Sequence, residues 1–451
     1  AEKLLEDLQN HDEKMFMVTI LLVHTAPTKQ KLENIIYSVN GIANANNCNL
    51  IRLDYQQEQG FVSALPLGLN QVAVQRGLTT SGTAIFMPFR SCEVFQPGGL
   101  YYGLNAQTKH IILADRKTLK CPNGIVLGTP GSGKSFFAKR EMTNAFFATR
   151  DHILILDPEN EYTALTEQLH GQTIYLAPDS HSYLNPMDLD LSTDVGESPM
   201  LMQADFLLSQ CELMMASYGN PLMPIEKSLI DRCISLVYRD YLKNPKPENM
   251  PILGDLYQCL REQHNSRADD LATAMEIYVT GSLSYLNHRT NVDLNNRMVC
   301  YNTSKLGQGL KKLVMSNVQK HIWQRTAVNR YAGITTRIFL DEFHLLLKEP
   351  QTAAYTAEIY KRFRKWNGIP TSLTQNVKDL LDSSEIENIL ENSDFVLMLN
   401  QGASDRNILA QRLGISPQEL NHVTNSGEGE GLLFFGDKII PFEDKFPRDT
   451  Q

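Results

Sequence analysis

The sequence predicts an α/β fold: a parallel-rich sheet covered by helices, an all-helical subdomain inserted into it, and a short α/β remnant at the N-terminal end. Three observations predict it. From Gly124 onward, short apolar runs ("GIVLG", "HILILD", "QTIYLA") alternate with helix-length segments, the order of parallel strands joined by crossover helices. Between residues 196 and 282 that alternation lapses and apolar residues recur at helical spacing. Third, the Gly-rich run "GTPGSGKSFF" at 128–137 stands between an apolar run and a helical one, a strand–loop–helix order.

The elements follow in order. Residues 1–95 read as the tail of a small α/β domain, with "MFMVTILLVH" a strand, "TKQKLENIIYSVNGIANANN" a helix and "CNLIRL" a second strand. "GLYYGLN" and "HIILAD" form a hairpin pattern that leads into the main domain, assigned to 96–195 and 283–451. "DSHSYLNPMDL" breaks the alternation at Asn185-Pro186. In the inserted helical bundle, 196–282, Leu201, Phe206, Leu208, Cys211 and Met214 form one apolar stripe and "IEKSLIDRCISLVYRDYL" carries a second. Strands resume at "RMVCYNTSKL", and "GLLFFGDKIIPFED" is a terminal hairpin.

Composition bounds the function. A chain of 451 residues suits about two or three domains. Its seven cysteines show no C-x-x-C pair, which points to a reducing cytosol without structural zinc. The net charge of −9 argues against a broad basic nucleic-acid face, though not against a local basic channel. No apolar run approaches the roughly 18 residues of a membrane span, and no signal peptide is visible. The chain begins with Ala in mid-helix by pattern, so a fragment of a longer protein is expected.

Gly128–Ser135 match G-x-x-x-x-G-K-[ST], a phosphate-binding loop. Gly128, Gly131 and Gly133 let the backbone turn its N–H groups toward phosphate oxygens. Lys134 supplies a point charge near the β and γ phosphates, Ser135 a hydroxyl for Mg²⁺, and the following helix its positive end. The expected nucleotide contacts are Gly128, Thr129, Pro130, Gly131, Ser132, Gly133, Lys134, Ser135 and Phe136. In "TRIFLDEFHLL" a buried strand ends in Asp341-Glu342. Asp341 is the expected second Mg²⁺ ligand, and Glu342 the carboxylate that polarises attacking water. "IPTSLTQN" is a neighbouring strand whose tip places Gln375, beside Asn376, where an amide bonds both phosphate and water. In "YTAEIYKRFRKWNG", a helix ended by Gly368, Tyr355, Ile359, Phe363 and Trp366 face the core, and Lys361, Arg364 and Lys365 face away. Arg364 is the expected arginine at the γ-phosphate, acting in cis or from a neighbouring subunit. Asp157 and Glu161 in "ILDPENEY" either cap the next helix or line the nucleotide site. "HRTN" at 288–291 is a loop without an assigned role.

"GTPGSGKSF", "LDPENEY", "LNPMD", "IFLDEFHLLL", "RFRKWNG", "LTQNV" and "GEGLLFFGDKIIPFED" occur in this order. The set resembles the cytoplasmic ATPases of conjugation and type IV secretion systems, a branch of the HerA–FtsK superfamily, from about residue 95 to the end. The resemblance implies a RecA-like P-loop motor with ATP and Mg²⁺ as cofactors. It further implies a homo-hexamer, with a monomer in isolation as the alternative. Its partners would be the other secretion-system ATPases and inner-membrane channel components, and its place the cytoplasmic face of the bacterial plasma membrane. A DNA-translocating motor of the same superfamily, a coupling protein or HerA-like helicase in contact with DNA, is the alternative reading.

Overall fold

The structure is a computed structural model. It describes residues 13–84, 86, 92–191, 198–216, 222–347, 350–375, 389–390, 392–424 and 426–445. The chain divides after Arg90 into two compact units.

In the first unit, β1 (Met15–Val18) pairs antiparallel with β2 (Arg76–Thr79). Helices α1 (Lys29–Ala45), α2 (Gln57–Ala64) and α3 (Thr80–Ala84) accompany them. Thr28 caps α1 through its hydroxyl, which accepts from the Lys31 N–H. The strand expected at "CNLIRL" does not form. Ile51 lies 63% exposed.

In the second unit, eleven strands form one sheet in the order β4-β3-β13-β12-β11-β5-β10-β9-β6-β8-β7. They are β3 (Leu100–Asn105), β4 (Ile111–Ala114), β5 (Gly124–Leu127), β6 (His152–Asp157), β7 (Gln172–Tyr175), β8 (Met298–Asn302), β9 (Thr336–Leu340), β10 (Gly368–Thr374), β11 (Phe395–Met398), β12 (Glu430–Phe435) and β13 (Lys438–Glu443). From β11 to β7 the strands run parallel. Strands β5, β6, β8, β9, β10 and β11 are buried on both faces, mostly through apolar residues, with Thr371, Ser372 and Thr374 of β10 buried as well, as helices on both sides of a parallel sheet require. Two antiparallel hairpins extend the sheet beyond β11. Helix α4 (Lys134–Ala148) follows β5, and α5 (Thr163–Gln168) joins β6 to β7.

Helices α6 (Pro199–Ala216), α7 (Pro224–Val237), α8 (Arg239–Lys243), α9 (Leu253–Arg261) and α10 (Ser266–Val279) lie in sequence between β7 and β8. The stripe expected on α6 is rotated. Leu201 is 67% exposed, Phe206 and Leu208 are half-buried, and Ala204, Leu207, Cys211 and Met214 form the buried row. Gln203 fixes this register by donating to the Pro186 carbonyl and the Tyr238 hydroxyl. The loop at 288–291 is structural. Asn185 N–H donates to Thr290 Oγ1 and Tyr183 N–H to Asn291 Oδ1, which ties the loop to the segment around Pro186.

Helix α11 (Gln308–Tyr331) precedes β9, and α12 (His344–Leu347) and α13 (Pro350–Phe363) precede β10. The basic helix ends earlier than expected, and a 3-10 turn, Arg364–Trp366, follows it. Asn367, at φ 54°, makes the left-handed turn that Gly368 was expected to make. Gly368 is the first residue of β10, and a Cβ there would meet the Phe363 side chain at 2.8 Å.

Candidate nucleotide site

The carboxyl ends of β5, β9 and β10 meet at one edge of the sheet, where open α/β sheets bind ligands. The loop after β5 hangs between two neighbouring strand tips. Gly128 N–H reaches the Thr374 carbonyl at the end of β10 at 3.4 Å, and Thr129 N–H the Asn400 carbonyl just past β11 at 2.9 Å. Gly131 and Gly133 take φ 75° and 103°, which glycine adopts without the cost of a Cβ. A Cβ on Gly128 would collide with the Ser132 hydroxyl. Pro130 and Gly131 form the exposed crest of the loop and Thr129 is half-buried. The first intrahelical bond of α4 is Phe137 N–H to the Gly133 carbonyl. Lys134, Ser135 and Phe136 therefore supply the N–H groups of an open helix N-terminus, an anion-binding arrangement. The Phe136 side chain itself lies toward Arg140, whose guanidinium sits 5.9 Å from the ring. Lys134 Nζ donates to the Gly128 and Thr129 carbonyls at 2.9 and 3.2 Å. Burial lowers its pKa, against the pull of Glu342, Asp341 and Glu161.

Strand β10 lies between β5 and β9, so the acid pair and the loop stand one strand apart with Gln375 between them. Asp341 is 5% exposed. Burial pushes its carboxyl up to about 7; the Glu342 N–H opposes this, and the charges of Glu161, Glu342 and Asp157 add to it. Glu342 has φ 44°, a left-handed conformation that costs a non-glycine residue about 1 kcal/mol or more. The turn is pinned by Glu342 N–H to Asp341 Oδ1 at 2.9 Å and Phe343 N–H to the Leu373 carbonyl at 3.0 Å. Gln375 Nε2 donates to Glu342 Oε1 at 2.6 Å. Asn376 lies outside the described residues.

Asp157 and Glu161, left open between capping and lining the site, lie here with three neighbours that the sequence did not assign to it: Tyr162, His344 and Gly429. Asp157 is buried and caps the turn after β6, accepting from the Glu161 and Tyr162 N–H groups. This is the capping alternative for Asp157. The Glu161 side chain is exposed, and its charge acts on both Lys134 and Asp341. Tyr162 is fully buried beside Ser135, and burial and the surrounding acids raise its phenol well above the ordinary value. His344 Nδ1 lies 3.1 Å from Glu342 Oε2. Gly429, at φ 72°, donates its N–H to the Ser132 carbonyl at 3.2 Å, which brings the terminal hairpin onto the loop.

Arg364 is not brought into this site. It lies in the turn before β10, at the opposite end of that strand from Gln375, and its guanidinium donates to Cys121 Sγ at 3.3 Å. Seven residues of strand at about 3.3 Å each separate the two ends. Nearness in sequence to β10 did not specify which end of it, and the cis alternative is corrected on this ground.

The residues fit Mg²⁺. A buried, incompletely compensated Asp341 carboxyl and the Ser135 hydroxyl stand at the same edge of the sheet. Among the described residues no group of three or more His, Cys, Asp or Glu could hold a metal ion. Mg²⁺ at this edge would be held by the Ser135 and Asp341 side chains together with phosphate and water.

Residues 111–426 match the family model of the TraG P-loop domain. The fold is similar to that of VirB4 of Thermoanaerobacter pseudethanolicus, at TM-score 0.70 and 23% identity over 79% of this chain and 99% of that one. It is also similar to the plasmid coupling protein TrwB in complex with ADP and Mg²⁺, at TM-score 0.53 and 14% identity over 80% and 96% of the two chains. The sequence comparison with curated proteins finds no match.

Proposed function

The chain belongs to the TraG P-loop domain family, and from that premise we propose that it is an ATP-hydrolysing motor energising pilus assembly and substrate transfer through a conjugative or type IV secretion channel. The observation that carries this reading is the convergence of Lys134, Ser135, Asp341, Glu342 and Gln375 at the tips of three adjacent strands. Gly128–Phe136 cradle the phosphates. Ser135 and Asp341 would hold Mg²⁺, which would supply charge neutralisation to the bound phosphates. Glu342 accepts a proton from water, and Gln375 orients water and carboxylate together. The motor works as a homo-hexamer at the cytoplasmic face of the bacterial membrane, with other secretion-system ATPases and inner-membrane channel components as partners. No described helix is long and apolar enough to cross a membrane, which fits a peripheral place. With Arg364 remote from its own subunit's loop, any contact with the γ-phosphate comes from a neighbouring copy.

The test is ATP turnover of the wild type and Lys134→Ala, with and without DNA, alongside oligomeric state. Lys134→Ala should bind nucleotide more weakly by about 1.5–3 kcal/mol and lose turnover; unchanged turnover sinks the reading. Strong stimulation by DNA would favour the DNA-translocating alternative. Mixing Lys134→Ala with Arg364→Ala protein should restore part of the activity, since some mixed interfaces pair an intact loop with an intact arginine.

A further inference from the structure

Glu342 is held by more than its own strand. Its left-handed turn follows β9 directly and leaves both carboxylate oxygens facing polar side chains. Oε1 accepts from Gln375 Nε2 at 2.6 Å. Oε2 lies 3.1 Å from Nδ1 of His344, the first residue of α12. The Glu342 side chain is 12% exposed and that of His344 17%. The approach falls short of a formed hydrogen bond in angle, and among the described residues neither Oε2 nor Nδ1 has another partner although both atoms are buried. A buried acceptor and a buried ring nitrogen within bonding distance satisfy one another after a small side-chain rotation, and buried polar atoms are normally satisfied.

We propose that His344 is a positioning residue for Glu342, donating Nδ1–H to Oε2 so that the carboxylate is clamped between an amide and an imidazole. The proposal rests on the reading of Glu342 as the group that polarises water. Each carboxylate oxygen has room for a second hydrogen bond, so the clamp fixes the plane of the group and leaves a site for water. In the step itself the water proton passes to Glu342. His344 keeps its own proton and contributes orientation, on which proton transfer depends.

The experiment measures kcat, KM, nucleotide affinity and Tm for His344→Ala, His344→Asn, Glu342→Gln and the double variant His344→Ala/Glu342→Gln. His344→Ala should lower kcat about 10- to 100-fold while nucleotide affinity and Tm stay near wild type. His344→Asn, whose amide N–H lies near the position of Nδ1–H, should regain most of the loss. In the Glu342→Gln background His344→Ala should cost nothing further, because the group it positions is already gone. Wild-type kcat in His344→Ala, an equal loss in both backgrounds, or no rescue by Asn would overturn the proposal. Near-normal turnover in Glu342→Gln alone would instead remove the reading of Glu342 and the proposal with it.

Discussion

Buried carboxylates stand at both ends of the parallel sheet and are treated in opposite ways. At the amino end, Glu141 Oε1 accepts from Arg116 at 2.9 Å, Arg337 at 3.0 Å and Tyr102 at 3.1 Å. Asp151 accepts from Arg337 at 2.9 Å and Lys117 at 2.7 Å. Arg116 also stacks over Phe395, bonds Thr371 and fills the space beside Gly124, where a Cβ would collide with its guanidinium. At the carboxyl end, Asp341 has the Glu342 N–H and a crowd of other acids. Matched charges tie α4 to β9 and β10 and fix the fold. Unmatched ones are kept where a cation and a phosphate chain can complete them, and the apo protein bears their cost.

The largest expected effect breaks the matched end. Arg337→Met leaves Glu141 and Asp151 each one guanidinium short in a buried site. Removing one partner of a buried ion pair costs about 3–5 kcal/mol, read as a shift in denaturant midpoint. Turnover per folded molecule should hold, because the network does not touch the loop. A loss below about 1 kcal/mol would show that the amino-end network is not what holds these elements together.

The next effect has the opposite sign. The Asp341 carboxyl sits at about 7 in the folded protein against an ordinary 3.8. The folded state therefore binds this proton more tightly than the unfolded chain. The associated stability is present at low pH and is lost as pH rises from about 4 through 7. The ceiling on that loss is about 4 kcal/mol. Asp341→Asn removes the titration, so at pH 8 the nucleotide-free variant should be more stable by about 2–3 kcal/mol and at pH 5 much less so. Its Mg²⁺-dependent turnover should fall. Equal stability of the two proteins across this range would place Asp341 among the satisfied groups and erase the contrast between the two ends.

What was legible in the sequence divides along the same line. The loop at 128–135 and the pair Asp341-Glu342 are local: their chemistry is written in adjacent residues, and the apolar runs before them specify which end of a strand they occupy. Tyr162, His344 and Gly429 reach the site through strand order and turns, which no local pattern encodes. Arg364 failed as a cis residue because helical spacing specifies a face and says nothing about which end of β10 the helix precedes. The α6 stripe was misplaced because Gln203, a polar residue, sets the buried row. The strand at "CNLIRL" does not form because the run stays largely exposed, and an apolar run settles as a strand where a half-buried pleated surface receives it.

The smallest effect asks how far the crowding at Asp341 extends. Glu161 is exposed, so water and salt screen its charge, yet it is the largest acidic contribution to the raised Asp341 carboxyl after burial itself. Glu161→Gln keeps the size and removes the charge. Asp157 should go on capping the turn, because it accepts from the backbone N–H of residue 161 rather than from its side chain. The Asp341 titration midpoint should then fall by less than about one pH unit, followed by NMR of the side-chain carboxyl or by the pH dependence of unfolding. The shift should shrink further at high salt. Turnover should change by less than about tenfold, since a screened charge at this distance steers cation binding without forming part of the proton path. A midpoint that stays put would assign the perturbation of Asp341 to burial, Glu342 and Asp157 and leave Glu161 as a solvated surface acid.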